Sequence, residues 1–230
     1  MFFIWLGIII KRIGAIFLPN MNLDEVLTVV RDYDQYKKFY APNVIDSRVM
    51  SQTGTQDAFS LRMLNKAVVA KFALDAEFQS SYQRVDQNRW YSVGETTRVR
   101  EIDDYGQADQ HELPVNTGHG FIWRLYNVTR FQQRDGGVYV ELEAIALSRD
   151  VPGAVRWIVN PVVRRVSKGS MLVSLQKTHE AVLASNELAS SAAIKHEGTE
   201  EKSASANKAP AAEVDNGFAS AKASLRSSGR

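Results

Sequence analysis

Residues 68–79 alternate strictly in side-chain character. Val68, Ala70, Phe72, Leu74, Ala76 and Phe78 lie on one side, with Lys71, Asp75, Glu77 and Gln79 on the other. Such alternation predicts a strand with one buried and one wet face, as in antiparallel sheets. The same period of two recurs on both sides. Ile45, Ser47 and Val49 alternate with Asp46 and Arg48, and Phe59, Leu61 and Met63 alternate with Ser60 and Arg62. Trp90 to Ile102, Phe121 to Gln132 and Val138 to Ser148 read as three more strands. Gly54 and Asn65-Lys66 mark turns, and Asp103 to Gly118 is a polar loop. Asp135-Gly136, between the last two runs, is a strong hairpin signal. If those two residues form the loop, Arg130 faces Glu141.

At both ends the pattern changes. Ile8 to Leu18 is a first strand rich in Ile and Phe, stopped by Pro19. Asn22 is placed to cap a helix, with Glu25 as its capping-box partner, ahead of Leu23, Val26, Leu27 and Val30 at helical spacing. A second short helix covers Tyr33 to Phe39 and ends before Pro42. From Ala154 to about Ala184 the helical period returns in Val155, Ile158, Val162, Val166, Leu172, Leu175 and Val182, with a kink expected at Pro161 and a weak point at Gly169-Ser170. Residues 185–230 are dominated by Ala, Ser, Lys and Glu, with Phe218 as the only aromatic, and read as a disordered tail.

The order is therefore strand, two short helices, six strands and a long helix. This is an α+β chain with about seven strands in one antiparallel sheet. A sheet of that width twists and curls, and a long helix fits in the curl. The space between sheet and helix is the natural pocket.

Composition narrows the functions. The 230 residues include 28 Lys and Arg against 26 Asp and Glu, a surplus too small to suggest a nucleic-acid partner. With no cysteine, disulfides and thiolate chemistry are excluded. His111, His119, His179 and His196 lack metal-site spacing, and Gly-rich phosphate loops and nucleophile elbows are absent. No metal and no cofactor is expected. Phe2 to Ile10 is apolar apart from Gly7, but Lys11 and Arg12 interrupt the run well short of the roughly 20 residues a spanning helix needs. The stretch reads as part of the first strand. A membrane-associating or uncleaved export segment, and a start inside a longer gene, stay open. A cytoplasmic or peripheral-membrane protein is expected rather than a secreted one.

Particular residues carry a resemblance. Asp32-Tyr33-Asp34-Gln35-Tyr36-Lys37-Lys38-Phe39-Tyr40-Ala41-Pro42-Asn43-Val44, followed by Ser47 and Val49, resembles the segment after the first helix of the polyketide-cyclase and coenzyme Q-binding proteins. These belong to the START-like (SRPBCC) superfamily, which also includes plant pollen allergens and lipid-transfer domains. Gly120 to Leu125, Gly136 to Glu143 and Leu147 to Pro152 are similar to a bacterial branch of it. The resemblance covers roughly residues 8–184. The stretch before Lys11 departs from the pattern, and the tail lies outside the domain. The resemblance implies a helix-grip fold, a curved sheet wrapped around the long C-terminal helix, with a hydrophobic ligand (lipid, quinone or polyketide-like) bound for carriage or sensing. It implies no single reaction.

The expected ligand-binding residues are Phe72, Leu74, Trp90, Trp123, Leu125, Asn127, Thr129, Leu142, Ala144 and Ala146. The two tryptophans are flat surfaces for a ring system, the two alanines leave room, and Asn127 and Thr129 orient the ligand. The bland reading makes both tryptophans core aromatics. Arg98, Arg124, Glu141 and Glu143 are candidate polar anchors, although an exposed cross-strand ion pair is the plainer account of Arg130 and Glu141. A cyclase or aromatase is the alternative reading, with Glu95, Arg98, Arg100 and Glu101 beside Glu141 and Glu143 as its ionisable groups. A solvated strand face is the plainer account of the first four. Arg156, Trp157, Arg164, Arg165 and Lys168 form a basic stretch suited to transient contact with a membrane surface, or simply a solvated helix face.

Overall fold

A computed structural model of the chain describes residues 7–66, 71–115, 117, 122–150, 169–188 and 191. Two units divide the chain, Met1–Leu188 and Ala189–Arg230, and every element below lies in the first. Strand β1 (Gly7–Pro19) leads into α1 (Leu23–Val30), a 3-10 turn (Tyr33–Gln35) and α2 (Tyr36–Phe39). Then come β2 (Val44–Gln52), β3 (Gln56–Lys66), β4 (Lys71–Asp86), β5 (Arg89–Asp103), the short β6 (His111–Glu112), β7 (Arg124–Arg134) and β8 (Gly137–Asp150). Residues 169–188 form the C-terminal helix, α3.

The strands make one antiparallel sheet in the order β1-β8-β7-β5-β4-β3-β2, with β6 added on β5. Its two edges are β1 and β2, so it is an open sheet and not a barrel. Irregular register in β2 and between β4 and β5 marks bulges, which bend strands. The sheet wraps around α3 in the helix-grip manner.

Local signals act as the sequence predicts. Asn22 Oδ1 accepts from the Glu25 backbone N–H at 2.9 Å, and Glu25 Oε2 accepts from the Asn22 N–H at 2.8 Å, which completes the capping box. Asp135 and Gly136 both have positive φ, 56° and 75°, as a two-residue type I′ turn requires. That turn sets the register of β7 against β8 and places Arg130 opposite Glu141.

Other boundaries move. Asn65 and Lys66 are not a turn but the last residues of β3, held there by pairing with Phe72 and Lys71. The polar loop after β5 contains β6, which pairs with Ile102 and Asp103. Gly169 and Ser170 are helical, and the helix passes Ala184 to reach residue 188. Residues 1–6, Val68, Ala70, Pro161, the basic stretch Arg156 to Lys168 and the tail beyond Ser191 lie outside the described residues.

The core has two parts. One gathers α1, the end of β1, the hairpin and α3 around Leu18, Leu23, Val26, Phe131, Val138 and Val182. The other stacks β2–β5 under the 3-10 turn around Tyr33, Phe59, Leu61, Leu74, Phe78 and Val99. At Gly14 a Cβ would come within 2.5 Å of Leu175 Cδ1, so the missing side chain lets α3 settle onto β1.

Candidate functional site

A cavity of about 180 Å³ lies where the two core parts meet. Its wall draws on nearly every element. Val30 comes from α1, and Tyr33, Tyr36 and Tyr40 from the turn and α2. Phe59 and Leu61 come from β3, Phe78, Ser80 and Tyr82 from β4, and Ser92 from β5. Asn127, Thr129 and Phe131 belong to β7, Val140 and Leu142 to β8, and Leu175 and Thr178 to α3.

Strand register explains the floor. Asp57, Ser80, Gly94 and Asn127 pair in turn across β3, β4, β5 and β7, and Ala144 continues the row on β8. The next row runs Tyr82, Ser92, Thr129, Leu142 and ends at Gly14. Ser80 and Ser92 are only 6% and 4% exposed. At Gly94 a Cβ would lie 2.7 Å from both Ser80 Oγ and Asn127 Oδ1. Glycine is needed there because both polar side chains converge over it. No described side chain or backbone group bonds the side chains of Ser80, Ser92, Asn127 or Thr129.

The roof is aromatic. Tyr33 stacks on Phe59 with ring centroids 3.8 Å apart, and Phe59 stacks on Phe78 at 5.1 Å. Behind Tyr33 sits a buried ion pair. Asp57, 1% exposed, accepts from Arg31 Nε at 2.9 Å and from its second nitrogen at 2.6 Å. The Arg31 guanidinium also lies 4.7 Å over the Tyr82 ring.

The tyrosine protons can be followed, because each hydroxyl has only one. Tyr33 gives its proton to Asp57 at 3.0 Å, so Tyr82 donates to Tyr33 at 2.9 Å. Tyr36 donates to the Val30 carbonyl at 2.6 Å. Thr178 donates to the Ser174 carbonyl at 2.9 Å, so Tyr40 donates to Thr178 at 2.8 Å. The hydroxyl protons of all four phenols are therefore committed to protein acceptors. Burial raises the proton affinity of all four; for Tyr40 the Thr178 hydrogen bond pulls the other way, and Tyr82 is pushed up to about 12.

Of the residues expected from the sequence, Asn127, Thr129 and Leu142 line this cavity. Leu74 is buried in the second core part, and Leu125 packs on its edge. Ala144 and Ala146 share the inner face of β8 but are half-buried outside the cavity wall. The Phe72 backbone is in β4, and its side chain is outside the described ones. Trp90 packs on the first core part and borders a separate open groove with Arg31 and Tyr82. Trp123 precedes β7, with the Arg124 guanidinium 5.7 Å from its ring centre.

The proposed polar anchors are elsewhere, because the alternation of each strand turns them away from the cavity. Arg98 pairs with Glu77 at 2.5 Å, and Arg124 donates to the Thr96 carbonyl. Arg130 pairs with Glu141 at 2.6 Å, both about half exposed, and Lys11 pairs with Glu143 at 2.6 Å. Glu95 is exposed and Arg100 pairs with Glu112, whereas Glu101 is 5% exposed on the inner side of β5 and does not line the cavity. Sequence reading missed the tyrosines, Ser80, Ser92 and Thr178. One signal was available: Tyr33, Tyr36 and Tyr40 recur at helical spacing within the very motif that carried the resemblance.

No family model matches the chain, and no curated protein does. Solved structures do. A STAR-related lipid transfer protein from Xanthomonas axonopodis superposes with a TM-score of 0.52 at 20% identity, over 75% of this chain and 85% of that one. The Zhui aromatase/cyclase from Streptomyces sp. R1128 gives 0.47 at 9% identity, over 76% and 93%. Human STARD10 gives 0.47 at 13% identity, over 77% and 65%. The first carries the assignment, and at that identity it speaks for the fold alone. Its agreement with the order of elements, the open sheet and the enclosed helix makes this a chain with the START-like, helix-grip fold.

Proposed function

We propose that this protein binds a hydrophobic small molecule between its sheet and α3, and carries or senses it without transforming it. The observation that supports this reading is the partly open cavity of about 180 Å³, walled by aromatic and aliphatic side chains with a few polar groups among them. That composition is typical of small-molecule sites. The volume lies below the ~300–1,000 Å³ of sites for drug-sized ligands. The occupant is thus compact, such as a single ring system or a short chain, unless α3 yields to admit more. A lipid fragment, a quinone head or a polyketide-like ring meets that limit.

Carriage is favoured over turnover by the chemistry of the wall. A cyclase needs a group able to move a proton near neutral pH within reach of the substrate. The described lining residues carry only hydroxyl and amide groups, and burial drives the phenols away from neutral titration. Glu95, Glu141 and Glu143 are on the far side of the sheet.

The test is native mass spectrometry and solvent extraction of the full chain purified from its own host, alongside Thr129→Trp. The expected result is a co-purifying hydrophobic molecule near one per chain, lost when the indole fills the cavity. A protein that is always empty, and that binds the small fluorescent dye naphthalene no better than Thr129→Trp does, would overturn the proposal.

A further inference from the structure

Resting on that reading, we infer that the ligand is uncharged and carries an oxygen head, a hydroxyl or carbonyl, held by Ser80 and Asn127 over Gly94 with Ser92 and Thr129 beside them. The first argument is the state of these groups. Ser80 and Ser92 are more than nine-tenths buried and border the cavity; no described group bonds their hydroxyls, and neither oxygen is among the fully enclosed unpartnered atoms, so both open onto the cavity. A hydroxyl that opens onto a cavity takes its hydrogen bond from whatever fills that cavity, water or ligand. Convergence over Gly94 gives that occupant a single point to bond. Two strands each bring a donor to the same point, and the glycine between them keeps it open.

The second argument is charge. Among the described residues, no Asp, Glu, Lys or Arg borders the cavity. Arg31, whose guanidinium lies over the Tyr82 ring, is committed to Asp57 by two hydrogen bonds and to the Thr53 carbonyl by a third. A carboxylate or phosphate drawn into this space would be buried without a counter-ion, which is very costly. A neutral oxygen meets donors from Ser80, Ser92, Thr129 or the Asn127 amide. If it is a hydroxyl, its own proton finds the Tyr82 or Tyr40 oxygen, whose protons are already placed elsewhere. The remainder of the ligand lies against Phe59, Phe78 and Leu142.

Four ten-carbon probes test this: decan-2-one, decan-1-ol, decane and decanoate at pH 8, each measured by displacement of the small fluorescent dye naphthalene from the full chain. The ketone and the alcohol should bind about tenfold tighter than decane, the size of one net hydrogen bond. They should exceed decanoate by at least as much. Ser80→Ala and Asn127→Leu should each erase most of the preference for ketone over decane while leaving the melting temperature equal or higher, since each removes a polar group with no protein partner. Ser80→Ala removes a single oxygen, so it remains informative should Asn127→Leu misfold. If decanoate binds as well as the ketone, or if the preference survives both variants, the head-group assignment is overturned and the cavity reading stands. If none of the four displaces the dye, the cavity reading falls first and takes this inference with it.

Discussion

The hairpin β7–β8 has two faces made from alternate residues of the same two strands, and they obey opposite rules. The inner face offers Asn127, Thr129, Phe131, Val140 and Leu142 to the cavity, all uncharged. The outer face carries Arg130 with Glu141, and Glu143 with Lys11 of β1, as paired ions near water. The backbone is common to both, so the difference lies in dielectric. Charges remain where solvent screens them, and neutral polar groups without a described protein partner line the cavity. Asp57 is the instructive exception. It is a carboxylate on the inner side of β3, tolerable because Arg31 and Tyr33 together saturate it.

That contrast can be broken at several points. Asp57→Ala should have the largest effect, a loss of ~1–3 kcal/mol in urea unfolding, because the buried Tyr33 hydroxyl loses its acceptor and the partly exposed Arg31 loses its carboxylate. If the loss is below about 1 kcal/mol, the inner face tolerates charge and the comparison fails. Alkali should come next. Tyr33, Tyr36, Tyr40 and Tyr82 all hold their protons above the ordinary value of 10.0, with burial as the leading cause. A raised folded value means that their contribution is intact below pH 10 and fades as pH climbs toward and beyond about 12, the value for Tyr82. Ultraviolet absorbance should show these four phenols ionising together with the loss of circular dichroism, not before it.

On the outer face the effects shrink. A double-mutant cycle on Arg130→Ala and Glu141→Ala should return a coupling of ~0.2–1 kcal/mol, as for exposed pairs generally. The smallest effect is at Glu143. The Lys11 hydrogen bond, helped by Arg130, holds this carboxyl below its usual 4.5. Its contribution is therefore present above pH 4.5 and is lost as pH falls through the lower folded value. Lys11→Met should shift the acid limb of the stability curve slightly and leave neutral-pH stability nearly unchanged.

Much of the fold was legible in the chain because its signals are local. The Asn22–Glu25 box starts α1 from side chains three residues apart, and Asp135-Gly136 needs only its own two positive φ angles to set eleven residue pairs of register. Alternation then assigned every hairpin residue to a face. What alternation cannot report is which residues on separate strands meet. Tryptophan size suggested a stacking site, yet Trp90 and Trp123 border the cavity's surroundings and not its wall.

The sequence by itself determined where the chain turns, caps and alternates, since those choices rest on neighbours within a few residues. Only the tertiary structure decided where the hollow lies. Ser80, Gly94 and Asn127 become one row through pairing across three strands, Tyr33 reaches Asp57 from a different element, and Leu175 finds the gap at Gly14 from the far end of the domain. Such meetings depend on register and packing summed over the whole sheet, which no short stretch of residues encodes.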